Sequence, residues 1–291
     1  MNLVEEHEVP HLPETTRLQD YAVNIFFKTP TKSGIKKAIK KGLIFINNER
    51  ANTGDWLLGG ETIFLFEEKI KNGKKVFNLN LEVLFEDEDL AVIKKPAGIL
   101  VSGNSFATIS NALTKNLQPS KRIDTVKPQP VHRLDYPTSG VLLIGKTSKS
   151  ISTLNELFKN KEVKKKYIAI TIGKMDKEGM IYLPIDKKAS KTFYKVLKTV
   201  NSVRFKSLNL VLLSPVTGRK HQLRKHLSEI KNQILGDQKY GIESLKLNGK
   251  GLYLHAYSIE FIHPNTNKKI TINTKPSKKF YSIFPSLNEL I

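Results

Sequence analysis

Apolar and polar positions along the chain follow two periods, and the places where the period switches divide it. From residue 17 to about 66, Ile35, Ala38 and Ile39 recur at helical spacing, with Ser33 suited to an N-cap and Gly42 to the C′ position. A strand is expected over Leu43–Ile46, then an Asn47-Asn48 turn, then a Gly59-Gly60 turn leading into "ETIFLF". These elements make a small unit, 17–75, preceded by an extension, 1–16, and followed by the polar, lysine-rich stretch Glu67 to Asn78, which reads as a linker.

The pattern changes beyond residue 80. "LEVLFEDEDLAVIKKPAGILVSG" carries two apolar strands separated by an acidic turn, Glu86 to Asp89, and broken at Pro96-Ala97-Gly98. Residues 104–129 are polar and show no pattern that places them. Val141 to Ile144 read as a buried strand behind a turn built on Pro137, Ser139 and Gly140. Ile151, Leu154, Leu157 and Phe158 mark an amphipathic helix, and "KKKYIAITIG" the strand after it. "TFYKVLKTV" and "SVRFKSLNLVLLSP" read as a hairpin, and "TGRKHQLRKHLSEI" as a helix with Leu223, Leu227 and Ile230 on its apolar face. Strands joined by a Pro-Asn-Thr-Asn turn complete the chain. Strands in runs, interrupted by a few helices, indicate an α+β fold: a mixed, largely antiparallel sheet flanked by helices over 80–291.

Charge sharpens this picture. The net charge of +21 favours polyanionic partners. Only seven of the 48 basic residues are arginine, so many lysines serve as ordinary solvated surface. The arginines are the more informative for it, and Arg133, Arg219 and Arg224 fall in two short blocks, "HRLD" and "TGRKHQLRKHL". Cysteine is absent and the seven histidines are scattered, with His221 and His226 five apart rather than the four that would share one helical face, so no metal is expected. Neither G-x-G-x-x-G nor a P-loop occurs, so no cofactor is expected either. The acidic start lacks signal-peptide features and no apolar run is long enough for a bilayer; a cytoplasmic protein that does not engage membranes is the expectation.

One stretch concentrates chemistry: "VHRLDYPTSGVLLIGKT" holds Asp135 between an arginine and a rigid turn. Together with "LFEDEDLAVIKKPAGILVSG", "VKKKYIAITIG" and "TGRKHQLRKHLSEIKNQILGDQKYG", in that order, it resembles the RluA family of pseudouridine synthases over roughly residues 81–280. The small unit, with its basic helix, turn and short strands ending in "GGETI", resembles an S4 RNA-binding domain.

The resemblance implies a reaction in which the C1′–N1 bond of uridine breaks, the uracil turns, and C5 bonds to C1′. Such a reaction conserves atoms and needs a carboxylate near the sugar, acting as nucleophile, base or stabiliser of oxocarbenium-like charge. By resemblance, Asp135 is that carboxylate, Arg224 the arginine that pairs with it, and Tyr167 the ring on which the extruded base packs. Arg133 is expected on the side opposite Asp135, against backbone or phosphate. RNA contacts are also expected from Lys36, Lys37, Lys40, Lys41, Lys165, Lys166, Arg219 and Lys220, although a solvated face explains such lysines equally simply. His132 and His221 read as structural groups, and Asp237 as a turn residue. Pro137 stands where the family usually has an acid, and Lys220 where it has threonine.

The partner implied is structured RNA, ribosomal ahead of transfer RNA, acted on by a monomer. Two other readings stand beside this one: an S4-type RNA-binding or assembly protein without catalysis, and a hydrolase, which would want a second carboxylate to activate water.

Overall fold

The computed structural model describes residues 1–67 and 77–291. The expected linker over Glu67 to Asn78, and with it the end of the small unit at residue 75, falls largely outside the described residues.

The small unit comprises β1 (Asn2–Glu8), β2 (Thr16–Arg17), α1 (Leu18–Tyr21), α2 (Lys32–Lys40), β3 (Ile44–Ile46), β4 (Glu49–Arg50), β5 (Trp56–Leu57) and β6 (Thr62–Glu67). The sheet order is β1-β6-β3-β4, so residues 2–8 are not an appendage. They pair antiparallel with β6, from Asn2↔Glu67 to Glu8↔Thr62, along an edge that would otherwise lie open. Helix α2 buries Ile35, Ala38 and Ile39 as their spacing predicts, but it begins two residues earlier than expected. Thr31, not Ser33, caps it, its hydroxyl accepting from the Gly34 N–H at 3.1 Å. Gly42 then takes the left-handed C′ conformation at φ 66°.

The large unit contains β7 (Glu82–Glu86), β8 (Leu90–Lys95), α3 (Ile109–Asn116), β9 (Thr125–Pro130), β10 (Ser139–Thr147), α4 (Ser148–Lys159), β11 (Lys164–Ile172), β12 (Glu178–Tyr182), β13 (Lys191–Ser202), β14 (Lys206–Pro215), α5 (Gln222–Glu229), β15 (Leu254–Ile262), β16 (Lys269–Asn273), α6 (Lys278–Tyr281) and α7 (Leu287–Leu290). Its main path runs β12-β13-β14-β11-β15-β10-β8-β7, with β9 beside β10 and β16 beside β15. Among the described pairs only β10 and β15 are parallel, joining an antiparallel half on each side.

That junction sits just behind Asp135 and dictates one residue. At Gly140 a Cβ would lie 2.1 Å from the Ala256 carbonyl oxygen, and φ is +119°, so only glycine lets the two strands meet there. Two cores result, one around β8, β10, α3 and α4, the other around β11, β14, α5 and the C-terminal helices, with Tyr167 packed against both.

Residues 104–129, unplaced by pattern, form α3 and β9. Thr108 caps α3 through the Asn111 N–H, and Ile109, Ala112 and Leu113 are its buried face, a three-residue stripe too short to stand out among polar neighbours. Helix α5 is shorter than the sequence suggests, because His221 adopts φ 57° and halts it at Gln222. The Asp87 turn is tied to the β15–β16 turn: the His263 Nδ1 accepts from the Asn265 and Thr266 N–H groups, and its Nε2 donates to Asp87 at 2.8 Å.

Candidate active site

Asp135 lies in the turn between β9 and β10, where its own carbonyl accepts from the Thr138 N–H at 3.0 Å. A lysine fixes this turn from below. The Lys95 ammonium, fully buried at the end of β8, donates to the carbonyls of Pro96 (2.9 Å), Tyr136 (3.3 Å) and Thr138 (2.8 Å). Burial pushes its pKa down to about 8, against the opposing pull of Asp135. It therefore stays largely protonated at neutral pH and adds positive charge beneath the aspartate. A lysine ending an apolar strand just before a proline was its one signal in the sequence.

The facing wall comes from the loop before α5. The Gln222 side chain organises that loop, accepting from the Thr217 hydroxyl and the Arg219 N–H while donating to the Lys191 carbonyl and the Thr192 hydroxyl. Arg224 follows two residues later, and its guanidinium is shared between two aspartates. Its Nε and Nη2 fork onto both Asp237 oxygens at 2.8 Å each, leaving Nη1 to face Asp135 at 3.8 Å. Asp237 is a turn residue, since Oδ1 also accepts from the Lys239 and Tyr240 N–H groups, but it is equally the anchor of the arginine. Burial alone would raise the Asp237 carboxyl; the hydrogen bond from Arg224, with those backbone donors, holds it below the usual carboxylate range.

His221, read from sequence as structural, stands at the other carboxylate oxygen, with Nε2 3.7 Å from Asp135 Oδ1. Its Nδ1 is 2.8 Å from the Tyr240 hydroxyl, whose ring lies under the Arg224 guanidinium at 5.0 Å. With Tyr240 donating to Nδ1, the Nε2 hydrogen points at the carboxylate. Asp135 is thus flanked by two donors, both beyond direct hydrogen-bond distance, and no described group bonds its side-chain oxygens. The carboxylate is electrostatically supported yet open.

The cavity above it, about 480 Å³, is lined by Arg133, Asp135, Lys165, Tyr167, Arg219, Lys220 and His221 among others, and is of nucleotide size. Arg133 lines the same cavity as Asp135, along with the rest of the run from Val131. Burial first, and the Asp135 charge second, raise the Tyr167 pKa well above its ordinary value, so the ring is a neutral phenol. His132 stacks on Phe158 and accepts the Leu143 N–H at 3.0 Å; burial takes its pKa down to about 3, which fits it for holding the fold rather than for proton transfer. Lys166 is exposed and outside the lining, and in the small unit Lys36, Lys37 and Lys40 belong to α2 with Lys41 as its C-cap. Among the described residues no second carboxylate lines the cavity: Asp237 is sealed under Arg224 at 1% side-chain exposure. Water activation by a paired acid is not what this geometry offers.

Exchanging His221 for asparagine is expected to lower kcat about tenfold or more while leaving KM for RNA within about twofold, since the ring orients the aspartate without being needed for RNA affinity. Burial lowers the His221 pKa and Asp135 opposes it, so protonation, which would turn Nδ1 into a donor and reverse its hydrogen bond with the Tyr240 hydroxyl, occurs below the ordinary value of 6.5. The acid limb of the parent's pH–rate profile should accordingly lie below that value and flatten in His221→Asn, with Tyr240→Phe showing an intermediate effect; an unchanged profile would remove His221 from the aspartate's support.

Comparison with known proteins gives the family. Residues 89–229 match the family model described as RNA pseudouridylate synthase. A ribosomal large subunit pseudouridine synthase C of Rickettsia felis is 31% identical, over 90% of this chain and 94% of its own length. A tRNA pseudouridine synthase C of Haemophilus ducreyi is 35% identical, over 71% of this chain and 95% of its own. Among solved structures, human RNA pseudouridylate synthase domain containing 4 superposes with a TM-score of 0.56 at 26% identity, covering 71% of this chain and 93% of the human one. With the motifs in order, an open carboxylate on the cavity floor and relatives matched nearly end to end, the chain belongs to the RluA-type RNA pseudouridine synthases, isomerases that act on RNA.

Proposed function

We propose that this synthase isomerises uridine in large-subunit ribosomal RNA, with Asp135 as the reacting carboxylate, Arg224 and His221 as its electrostatic frame, and Tyr167 as the support of the extruded base. The observation that carries the reading is the Asp135 carboxylate, open on the cavity floor between two donors at 3.7 and 3.8 Å. As the glycosidic bond breaks, Asp135 meets the positive charge developing at the sugar; the uracil turns, C5 bonds to C1′, and the C5 proton is lost while N1 gains one. Tyr167, a neutral phenol in the dry wall, offers a flat face to the uracil. Arg133, Lys165, Arg219 and Lys220 surround the entrance and suit phosphate contacts.

The small unit is an S4-like RNA grip in this proposal. Supporting it are the lysine-bearing outer face of α2, the Asn47 turn at φ 53°, and the Gly59-Gly60 turn into β6. Ribosomal RNA is favoured because the match to the ribosomal enzyme, at 90% of this chain, necessarily extends into the small unit, whereas the match to the transfer RNA enzyme covers 71%. The test is a map of pseudouridine in total RNA by carbodiimide labelling and primer extension, with and without this gene. Loss of large-subunit sites, restored by the parent gene and not by Asp135→Asn, is the expected result. Loss confined to transfer RNA would move the substrate, and no change anywhere would favour the non-catalytic reading.

A further inference from the structure

The edge hairpin of the large sheet carries a surface that the cavity does not account for. On β12 and β13 the side chains alternate sharply between the two faces. Ile181 and Thr192 point inward, and Thr192 bonds Gln222 and His226 of α5. Met180, Tyr182 and Phe193 point outward at 52%, 64% and 44% exposure. The register sets Met180 opposite Phe193 and Tyr182 opposite Lys191, so the four side chains form a compact outward square. The Lys191 ammonium lies 4.7 Å from the centre of the Phe193 ring. Lys195 is exposed further along β13, and Lys187 and Lys188 are exposed in the connecting loop.

This square adjoins the rim of the cavity. The Lys191 N–H donates to the Thr217 hydroxyl at 3.1 Å, the Val216 N–H donates to the Lys191 carbonyl at 3.0 Å, and Thr217 lines the cavity. By register Tyr167, Leu213 and Tyr194 share one face of the sheet and Phe193, Lys191 and Tyr182 the other, so RNA leaving the cavity reaches these three by rounding the strand ends at Val216 and Thr217. The occupant this chemistry fits is single-stranded RNA: bases stack on exposed rings irrespective of sequence, and ammonium groups between the rings meet the phosphates. A uridine delivered into the cavity is necessarily unpaired, and its neighbours are the nucleotides nearest to hand. A net charge of +21 sets two copies of the chain against each other, which argues against a dimer through this face.

We infer that the outer face of the β12–β13 hairpin, built on Tyr182, Lys191 and Phe193, is a stacking platform for the single-stranded RNA that flanks the target uridine. The inference rests on the chain acting on RNA, and it locates a binding surface distinct from the site of reaction.

The test uses the full-length protein and a fluorescently labelled oligouridylate, with affinity read by anisotropy at physiological ionic strength. Tyr182→Ser/Phe193→Ser should bind about tenfold or more weakly, the loss of roughly one stacked base, and Tyr182→Trp should bind as well as the parent or better. On substrate RNA the double variant should raise KM and keep kcat at saturation. Both rings are exposed, so the melting temperature should hold, and a drop in affinity without a change in melting temperature is the informative pattern. Parent-like affinity in the double variant overturns the inference. So does a parent that sediments as a dimer which the double variant dissociates, because the face would then belong to a second copy. Binding is read without turnover, so a failure of the catalytic reading leaves the platform measurable, and loss of the platform leaves isomerisation measurable.

Discussion

Asp135→Asn is expected to abolish pseudouridine formation, by more than about 10³-fold, while RNA affinity stays within about twofold of the parent. The amide is isosteric, so the turn held by Lys95 and by the Thr138 N–H has no reason to move. What disappears is negative charge in a place built to display it. The Arg224 Nη1 at 3.8 Å and the His221 Nε2 at 3.7 Å would then face a neutral group, and nothing on the cavity wall could replace the carboxylate, because the nearby acid, Asp237, is buried under Arg224. Release of tritium from RNA labelled at uridine C5, with filter binding run in parallel, measures both halves of the expectation. Activity above a few per cent of the parent would take Asp135 out of the reacting role.

Asp237→Asn is expected to be nearly as damaging, by a different route. The fork of Arg224 on Asp237 is a buried, doubly hydrogen-bonded ion pair, and removing one member of such a pair costs about 3–5 kcal/mol of stability. Released from its anchor, the guanidinium can close the gap to Asp135 and bond it directly, which would occupy the oxygens the substrate needs. Activity should therefore fall further than the remaining folded fraction explains. Arg224→Lys should fare no better, since an ammonium cannot hold both oxygens of Asp237 while presenting a third nitrogen to Asp135. The pair Arg224→Met/Asp237→Leu separates the two effects: it should melt higher than either single replacement and still be inactive. Chemical denaturation alongside single-turnover kinetics distinguishes these outcomes. An active double variant would mean that the ion pair serves the fold alone.

These expectations turn on contacts that sequence motifs point towards without supplying. "HRLD" and "HQLRKH" mark Asp135 and Arg224, and both reach the cavity region, but the motifs do not show that Arg224 faces Asp135 across 3.8 Å while its hydrogen bonds go to Asp237. His221 reads from sequence as a structural group, and only its left-handed backbone, which turns the ring towards Asp135, shows its place. Tyr240 lies within the last of the quoted motifs, but two of its roles, hydrogen-bonding His221 and underlying Arg224, depend on how the chain folds back onto α5, which the motif does not show.

Local chemistry settled the kinds of element and most of their places. The Ile35, Ala38 and Ile39 stripe, the apolar runs of β8 and β10, and the stop at Gly42 follow from side-chain period and backbone preference, which act over a few residues and are written in order along the chain. The exceptions were short or end-dependent: α3 with its three buried residues, the late start of α5, and a first strand held in place by its pairing with β6. Packing alone decided how Asp135 is supported. Lys95 under the turn, the carbonyl of Ala256 that excludes any side chain at Gly140, and the division of the Arg224 guanidinium between two aspartates each depend on distances between segments far apart in the chain. Periodicity carries no information about such distances, because they are fixed only when the two halves of the sheet close together at β10 and β15.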